Sequence, residues 1–241
     1  MIDLSIIIIN FNSNKYITEC INSCLNQKTK FNYEILVIDD ASSDKSIYII
    51  NKFKLKKNLK IFANKKNLGI EKSSNIGFKK AKGKFVCRVD SDDKISQNFV
   101  ETSLRSFKKG YSFVFPNYKI ISSSGKIIGY KKLPVFDKLE ILKRGDFLAT
   151  GTVYRKSTLQ SINFYNIKFK NCGLENFELI LNLILIKKKK GYHINKFLFY
   201  LRKHAKNLSK IKQNSILNYG KIFFKRMKFG TYSVNLNNPN F

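Results

Sequence analysis

Two short acidic clusters are the part of this sequence best suited to chemistry. They read Asp39-Asp40-Ala41-Ser42-Ser43-Asp44 and Asp90-Ser91-Asp92-Asp93. Together they hold six of the sixteen acidic residues in a chain whose formal net charge is +30. Carboxylates crowded together repel one another unless a cation or a hydrogen-bonding ligand offsets the charge. A divalent metal ion carrying phosphates would do so.

The elements before these clusters explain how they could meet. Each cluster follows a short apolar run typical of a buried strand, and the polar segment 10–12 follows a third run at residues 4–9. Segments whose apolar residues have helical spacing lie between these runs, and the strands recur every 25 to 30 residues. This alternation predicts an α/β fold with a mostly parallel sheet, whose ligands bind at the carboxyl ends of the strands.

The later part of the chain is less regular. We predict strands at 111–115, 120–130 and 197–201, a turn at 122–125, and an apolar helix over 175–187. Residues 208–228 show the pattern of a basic amphipathic helix. That helix could lie on an anionic membrane or pack against the core with its lysines in solvent. The tail at 235–241 is expected to fray.

Composition limits the classes of function. The chain of 241 residues has 43% hydrophobic residues, enough to build a globular core. Its positive charge attracts nucleic acid, an anionic membrane or phosphorylated substrates, but nucleic-acid binding gives no account of the acidic clusters. The four cysteines form no CxxC pair and predict buried free thiols. With no signal peptide and no apolar run of about 20 residues, we expect a cytoplasmic protein.

Five ordered motifs together resemble the family 2 glycosyltransferases of the GT-A fold. The matching segments are Ser5–Asn12, Ile35–Asp44, Asn67–Ile70, Asn75–Gly77 and Ala81–Asp93. The resemblance implies a nucleotide-binding, mostly parallel twisted sheet flanked by helices, with a smaller acceptor-binding part and a C-terminal helical region. We therefore expect a nucleotide-sugar subdomain at 1–110, an acceptor subdomain at 111–205, and a basic helix and tail at 206–241.

The resemblance also assigns donor-binding residues. Asn10 and Phe11 fall where the family binds the nucleotide, and the aromatic ring there packs on the base. A buried core role for Phe11 is the alternative. Asp39 matches the aspartate that contacts the base, whereas Asp40 and Asp44 are expected to shape the turn and cap the next helix.

The second cluster matches the metal-binding DxD motif of the family. By resemblance Asp92 is the direct metal ligand, Asp90 lies near the ribose or the ion, and Asp93 is either a second ligand or a helix cap. His204 matches a histidine that reaches the metal or the diphosphate, although Leu201 displaces the arginine that usually follows the tyrosine of this motif. The implied cofactor is Mn²⁺ or Mg²⁺, and an imidazole suits Mn²⁺ better.

The catalytic base departs from the family pattern. The family often places an aspartate where this chain has Asn176, and an amide is no useful proton acceptor. Glu175 and Glu178 are the only carboxylates after Asp146, and both fall on one face of the predicted helix. We take Glu175 as the first choice for the base and Glu178 as the second; a stabilising charge at the helix N-terminus is the alternative for Glu175.

These assignments imply an inverting transferase of the hexosyl or N-acetylhexosaminyl type. Its donor is expected to be a nucleotide-diphosphate sugar, most simply a UDP-sugar. By resemblance the acceptor is a lipid-linked or surface glycan of bacterial polysaccharide, capsule or lipopolysaccharide. We expect no nucleic-acid partner and consider a peripheral contact with the inner face of the cytoplasmic membrane. The alternative, motivated by Asn176, is a non-catalytic relative that binds a nucleotide-sugar or glycan.

Overall fold

The computed structural model describes residues 1–143 and 150–233. Its strands are β1 (Leu4–Asn10), β2 (Tyr33–Asp39), β3 (Leu59–Ala63), β4 (Phe85–Asp90), β5 (Lys94–Ile95), β6 (Tyr111–Ile121), β7 (Ile127–Lys131), β8 (Val153–Arg155) and β9 (Lys190–Arg202). Its helices are α1 (Ile17–Leu25), α2 (Ser46–Asn51), α3 (Ile70–Lys80), α4 (Phe99–Arg105), α5 (Lys138–Lys143), α6 (Lys156–Gln160), α7 (Glu175–Leu181), α8 (Leu208–Ile211) and α9 (Gln213–Met227).

The N-terminal part of the sheet is parallel, as predicted. Strands β3, β2, β1 and β4 lie side by side in that order, and all three pairings are parallel. Every residue of β1 is buried, because helices cover both faces of the sheet. Gly77 lets α3 approach β1, since a Cβ atom there would lie 2.4 Å from the Ile7 side chain.

The remaining strands extend the same sheet with mixed polarity. The order continues β4-β8-β6-β9-β5, with β7 paired to β6, and only β6 and β9 run parallel to each other in this part. The predicted mostly parallel sheet is therefore confirmed for the N-terminal half, whereas the second half is largely antiparallel.

One strand replaces the predicted break between 115 and 120. β6 continues through Pro116 to Ile121, because shifts in its register with β9 around Pro116 and Asn117 absorb the irregularity. The predicted turn at 122–125 is confirmed, and it separates the end of β6 at Ile121 from β7, which lies in the later part of the segment predicted as strand over 120–130. β9 is also much longer than the predicted segment 197–201.

The C-terminal helices pack onto this body. α7 ends in a π-helical turn at Asn182–Ile186. The apolar face of α9 is buried through Ile216, Tyr219, Phe223 and Phe224. Packing against the core is therefore what α9 does in this structure, with lysines such as Lys221 exposed.

Other expectations can be compared with the described residues. All four cysteines are buried free thiols, as predicted. Within the described residues, no helix has both the length and the apolar character needed to cross a bilayer. The tail at 235–241 lies outside the described residues. The boundaries proposed at 110 and 205 remain predictions, although one sheet runs through residues 4–202.

Candidate functional site

A cavity of about 860 Å³ opens at the carboxyl end of the parallel strands. Loops after β1, β2, β4 and β9 form its walls. The lining side chains are Ile9, Phe11, Asn12, Ser13, Asn14, Lys15, Tyr16, Asp40, Ser43, Asp44, Asn67, Ile70, Asp90, Ser91, Asp92, Ser123, Asn171, His204, Ala205 and Lys206. Segments distant in sequence therefore meet at one site.

The loop after β1 presents an aromatic ring to this cavity. Phe11 is 49% exposed, so it is not a core residue. Asn12 has a positive φ of 51°, and its side-chain oxygen accepts hydrogen bonds from the backbone of Ser43 and Asp44. This bridge ties the loop after β1 to the first acidic cluster.

The first two aspartates of that cluster are buried. Asp39 Oδ1 accepts hydrogen bonds from Asn10 Nδ2 at 2.7 Å and from the Ser42 hydroxyl, and its Oδ2 accepts from the Ser42 backbone N–H. Asp39 is 2% exposed and does not line the cavity. Its interactions connect the ends of β1 and β2 and fix the turn.

Asp40 organises the loop before α3. Its carboxylate accepts hydrogen bonds from the backbone N–H groups of Leu68 and Gly69 and from Asn64 Nδ2, each at 2.8 Å. Asp40 therefore shapes the chain as expected, although the segment that it holds comes from residues 64–69.

Asp44 lies at the start of α2. Its carboxylate accepts hydrogen bonds from the backbone N–H groups of Asn14 and Ser46. Partial burial raises the pKa of Asp44, but the hydrogen bonds from Ser46 and Asn14 outweigh burial and lower the pKa overall. The carboxylate is held ionised beside the cavity.

In the second cluster, Asp92 meets His204. The Nε2 atom of His204 lies 2.9 Å from Oδ2 of Asp92, and both side chains line the cavity. Tyr16 stacks on the imidazole with 5.0 Å between ring centroids. The extra residue Leu201 thus does not prevent the histidine from reaching the DxD motif.

Asp93 turns away from the cavity. It is 2% exposed, and its Oδ1 accepts a hydrogen bond from the backbone N–H of Arg202 at 2.7 Å. Burial, followed by repulsion from Asp92 and Asp90, raises the pKa of Asp93 well above its usual range. This geometry gives Asp93 a structural role in joining the DxD loop to β9.

Arg202 holds this corner together, and the sequence reasoning assigned it no role. Its side chain is buried, its Nε donates to the Asp92 carbonyl at 2.7 Å, and its Nη2 contacts Glu19. Its Nη1 donates to the carbonyls of Ser122 and Ser123. The displaced arginine of the "Tyr-Leu-Arg" segment was the available signal.

Asp90 belongs to a buried ion-pair network. Arg88, in β4, lies 2.9 Å from Asp90 through Nε and 3.0 Å from Glu175 through Nη2. Burial raises the pKa of both carboxyls, and it does so against the lowering effect of the Arg88 charge. The network runs from the cavity wall at Asp90 to the N-terminus of α7, and sequence reasoning missed its arginine.

The two candidate bases on α7 have different surroundings. Glu175 Oε1 pairs with Arg88, whereas its Oε2 has no hydrogen-bond partner among the described residues. Both oxygens of Glu178 are engaged: Asn166 and Arg226 donate to one, and the Tyr219 hydroxyl donates to the other. Glu178 therefore anchors α9 to α7.

Asn176 also has a defined partner. Its Oδ1 accepts a hydrogen bond from the Tyr165 hydroxyl at 2.6 Å. A carboxylate at this position would accept the same bond and carry a charge. With asparagine at 176, the carboxylates in the first turn of α7 are Glu175 and Glu178. Of these two, only Glu175 has an oxygen without a hydrogen bond in the described structure.

A second carboxylate lies close to Glu175. Donor atoms of Glu71, Cys172 and Glu175 are all within 4.8 Å of one another. The Glu71 carboxylate accepts hydrogen bonds from the backbone N–H groups of Asn171 and Cys172. Burial, and then the charges of Glu175 and Glu71, raise the pKa of the Cys172 thiol. The protonated thiol is a poor metal ligand.

The chemistry available in the cavity follows from its donor set. Asp92 and His204 offer one carboxylate and one imidazole at hydrogen-bond distance from each other, a combination that suits Mn²⁺. Lys15 and Lys206 add positive charge to the walls, and Phe11 offers an aromatic face. The residues therefore fit a divalent ion together with a nucleoside diphosphate.

Comparison with known proteins supports this interpretation. A family model described as "Glycosyl transferase family 2" matches residues 5–170. An uncharacterised glycosyltransferase of Haemophilus influenzae is 30% identical over 232 residues, which cover 94% of this chain and 90% of that protein. The Staphylococcus aureus poly(ribitol-phosphate) beta-N-acetylglucosaminyltransferase TarS is 37% identical over 116 residues, covering 47% of this chain and 20% of TarS.

Solved structures share the fold. Residues 1–349 of S. aureus TarS in complex with UDP-GlcNAc superpose with a TM-score of 0.71 at 22% identity, covering 92% of this chain and 66% of that one. The mannosyltransferase PcManGT of Pyrobaculum calidifontis, in complex with GDP-Man and Mn²⁺, gives 0.70 at 12% identity, covering 95% and 65%. At these identities the likeness establishes the GT-A fold.

Proposed function

Because the chain belongs to the family 2 glycosyltransferases, which use nucleotide-sugar donors, we propose that it transfers a hexosyl or N-acetylhexosaminyl group from a UDP-sugar with inversion. The convergence of Phe11, Asp92 and His204 on one cavity is the observation that carries this proposal. TarS was crystallised with UDP-GlcNAc, which favours a uridine nucleotide.

The donor lies across the loops of the parallel strands in this proposal. The base packs on Phe11, and Asp39, which is buried behind the cavity lining, supports this subsite through its hydrogen bonds with Asn10 and Ser42. Asp92 and His204 would hold a divalent ion, and Asp90 lies on the same cavity wall. An ion at this position supplies positive charge that stabilises the diphosphate as a leaving group. Asp93 is left out of the ligand set because its carboxylate is buried against Arg202.

Glu175 acts as the base for the acceptor. The acceptor hydroxyl oxygen forms a bond to the anomeric carbon on the face opposite the diphosphate. The bond from that carbon to the phosphate oxygen breaks, and its electron pair leaves with the diphosphate. The hydroxyl proton passes to Oε2 of Glu175, the oxygen without a hydrogen-bond partner. Burial raises the pKa of Glu175, which makes the carboxylate a stronger base.

The proposed acceptor is a lipid-linked or surface glycan. TarS is a poly(ribitol-phosphate) beta-N-acetylglucosaminyltransferase, which favours a bacterial surface polymer. The net charge of +30 favours an anionic acceptor, and Lys15 and Lys206 place some of that charge at the cavity. Contact with the inner face of the cytoplasmic membrane would depend on exposed lysines, because α9 buries its apolar face.

A thermal-shift experiment tests the donor site. UDP-, GDP- and dTDP-sugars are added with and without Mn²⁺, and we expect a Mn²⁺-dependent rise in Tm with the uridine nucleotide. At a hundredfold excess over Kd, binding stabilises the fold by about 2.7 kcal/mol. Asp92→Ala should abolish the shift. No shift with any nucleotide would overturn the proposal.

A matched pair of variants tests the base. Glu175→Gln and Glu178→Gln change neighbouring carboxylates on α7 that are both buried. We expect Glu175→Gln to slow UDP release from UDP-GlcNAc, with water as acceptor, by about 10²- to 10³-fold while nucleotide binding is retained. Glu178→Gln should lower Tm and keep kcat within about threefold. Equal loss of kcat in both variants would contradict the assignment.

Asn176 motivates one alternative function, a relative that binds a nucleotide-sugar without transferring it. This alternative predicts donor binding with no UDP release by the native chain. It also predicts that Asn176→Asp creates activity, since the family carboxylate would return next to Tyr165. UDP release by the native chain, removed by Glu175→Gln, would exclude this alternative.

A further inference from the structure

A buried arginine lies between the donor and acceptor sides of the site. Arg88 is 3% exposed and occupies the interior of β4, paired in register with Ile7 of β1. Burying a guanidinium costs several kcal/mol unless partners compensate. The free-energy cost of burying this charge in β4 means that packing alone does not explain why an arginine is there.

The partners of Arg88 come from two different parts of the chain. Nε lies 2.9 Å from Asp90 Oδ1, and Nη2 lies 3.3 Å from Asp90 Oδ2. Nη2 also donates to Glu175 Oε1 at 3.0 Å, across 87 residues of sequence. The guanidinium lies over the ring of Tyr165, whose hydroxyl donates to Asn176. One side chain therefore contacts the DxD motif and the first turn of α7.

Four buried atoms without a hydrogen-bond partner among the described residues mark this network as incomplete. They are Arg88 Nε, Arg88 Nη1, Asp90 Oδ1 and Glu175 Oε2; Nε and Oδ1 lie at ion-pair distance from each other, whereas Nη1 and Glu175 Oε2 have no partner of either kind in the described part of the chain. Buried polar atoms normally have partners, so such exceptions concentrate where a substrate or water completes the network. The arrangement holds one carboxylate oxygen of Glu175 with Arg88 and leaves the other buried without a hydrogen bond.

We propose that Arg88 is a positioning residue for sugar transfer: its guanidinium fixes Asp90 on the donor side and Glu175 on the acceptor side, so that Oε2 of Glu175 faces the acceptor hydroxyl. Arg88 itself does not touch the substrate. This inference rests on the proposed function, because it takes Glu175 as the base.

The shape of arginine suits this task. A guanidinium presents its N–H groups in a fixed planar fork, so it can hold two carboxylates at a set angle. An ammonium group is a point charge on a flexible stem and fixes neither orientation. Without the cation, Asp90, Glu175 and Glu71 would face one another inside the protein, and their repulsion would displace the start of α7.

The experiment compares Arg88→Met, Arg88→Lys, Glu175→Gln and the double variant Arg88→Met/Glu175→Gln. Each is checked for a folded state by its melting transition and for UDP binding with Mn²⁺. UDP release from UDP-GlcNAc then gives kcat and KM. We expect Arg88→Met to lower kcat by about 100-fold with the donor KM changed less than about threefold. Arg88→Lys should recover about tenfold of that loss.

The double variant separates positioning from a purely structural role. Residues that act as a unit show non-additive losses, so the double variant should be no more than about threefold slower than Glu175→Gln. A double variant whose loss of kcat equals the product of the two single losses would overturn the proposal. So would a folded Arg88→Met with a kcat within fivefold of the native value. If Arg88→Met does not fold, a native kcat for Arg88→Lys would overturn it equally.

The same set of variants shows which idea fails. A native rate for Glu175→Gln would overturn both the proposed base and the role of Arg88. A slow Glu175→Gln beside a native-like Arg88→Met would overturn only the role of Arg88. A raised donor KM with an unchanged kcat in Arg88→Met would also overturn the role of Arg88. The guanidinium would then position Asp90 alone.

Discussion

The two acidic clusters look alike in sequence but are used differently in the structure. In the first, Asp39 and Asp40 are buried and accept hydrogen bonds from backbone and amide N–H groups of their own and neighbouring loops. In the second, Asp92 stays 24% exposed and contacts His204 at 2.9 Å in the cavity wall. The first cluster builds the loops, whereas the second keeps a carboxylate available.

Charge compensation differs in the same way. Neutral N–H donors satisfy the first cluster, so its carboxylates are balanced once the loops have formed. Around the second cluster the compensating groups are Arg88 beside Asp90 and the backbone of Arg202 beside Asp93. Asp92 retains capacity for a ligand. Carboxylates at strand ends thus mark a site only where folding leaves one of them incompletely satisfied.

Replacing Asp40 should give the largest effect on stability. Asp40→Ala leaves the N–H groups of Leu68 and Gly69 and the amide of Asn64 without their acceptor, and we expect a loss of about 3 to 5 kcal/mol. Urea unfolding measures this loss. Asp92→Ala is the matched control and should cost less than about 1 kcal/mol. The reverse order of the two losses would contradict the comparison.

Asp39→Asn should have an intermediate effect. An amide at this position presents an NH₂ group to donors from Asn10 or Ser42, so at least one hydrogen bond is lost. We expect a loss of about 1 to 2 kcal/mol by urea unfolding. A UDP titration of the same variant tests whether the turn held by Asp39 supports the donor subsite, which predicts weaker binding. Ser42→Ala serves as a control that removes one donor and keeps the carboxylate. An unchanged stability of Asp39→Asn would show that the turn does not need this charge.

Replacing Asp44 should have the smallest effect on stability, and this effect should depend on pH. Its folded pKa is lowered, so its contribution to stability is present above the unfolded value near 3.8 and is lost as the pH falls through the lower folded value. The Tm difference between the native chain and Asp44→Asn should therefore be largest near pH 6 and should shrink toward pH 3. A difference that grows in acid would contradict the sign.

The parallel half of the fold was predictable because its signals are local. Strands β1, β2 and β4 are mostly buried apolar runs, β3 is a short edge strand, and helices with clear apolar spacing lie between them. By contrast, β5 has two residues and β8 has three. Such strands are defined by pairing with distant partners, as Ile95 pairs with Phe199, so their own sequence carries little information.

In the candidate site, the acidic residues could be identified from the sequence, but the arginines that pair with them could not. The sequence indicated Phe11, Asp92 and His204, and the structure brings all three to one cavity. Arg88 was missed because 46 basic residues make any one of them inconspicuous, whereas Arg202 was noticed as a displaced motif residue without a role being assigned to it. A charged side chain inside the apolar run of β4 was the signal for Arg88, since charges are rarely buried without a partner.

The junction between α7 and α9 has a practical consequence. Glu178 lies three residues after Glu175 on α7. It accepts hydrogen bonds from Tyr219 and Arg226 of α9. Shortening the lysine-rich end of the protein to ease expression or crystallisation would leave a carboxylate stranded beneath the removed helix. Such a truncation would disturb the turn that carries Glu175, so its effect on turnover should not be attributed to lost contact with polymer or lipid.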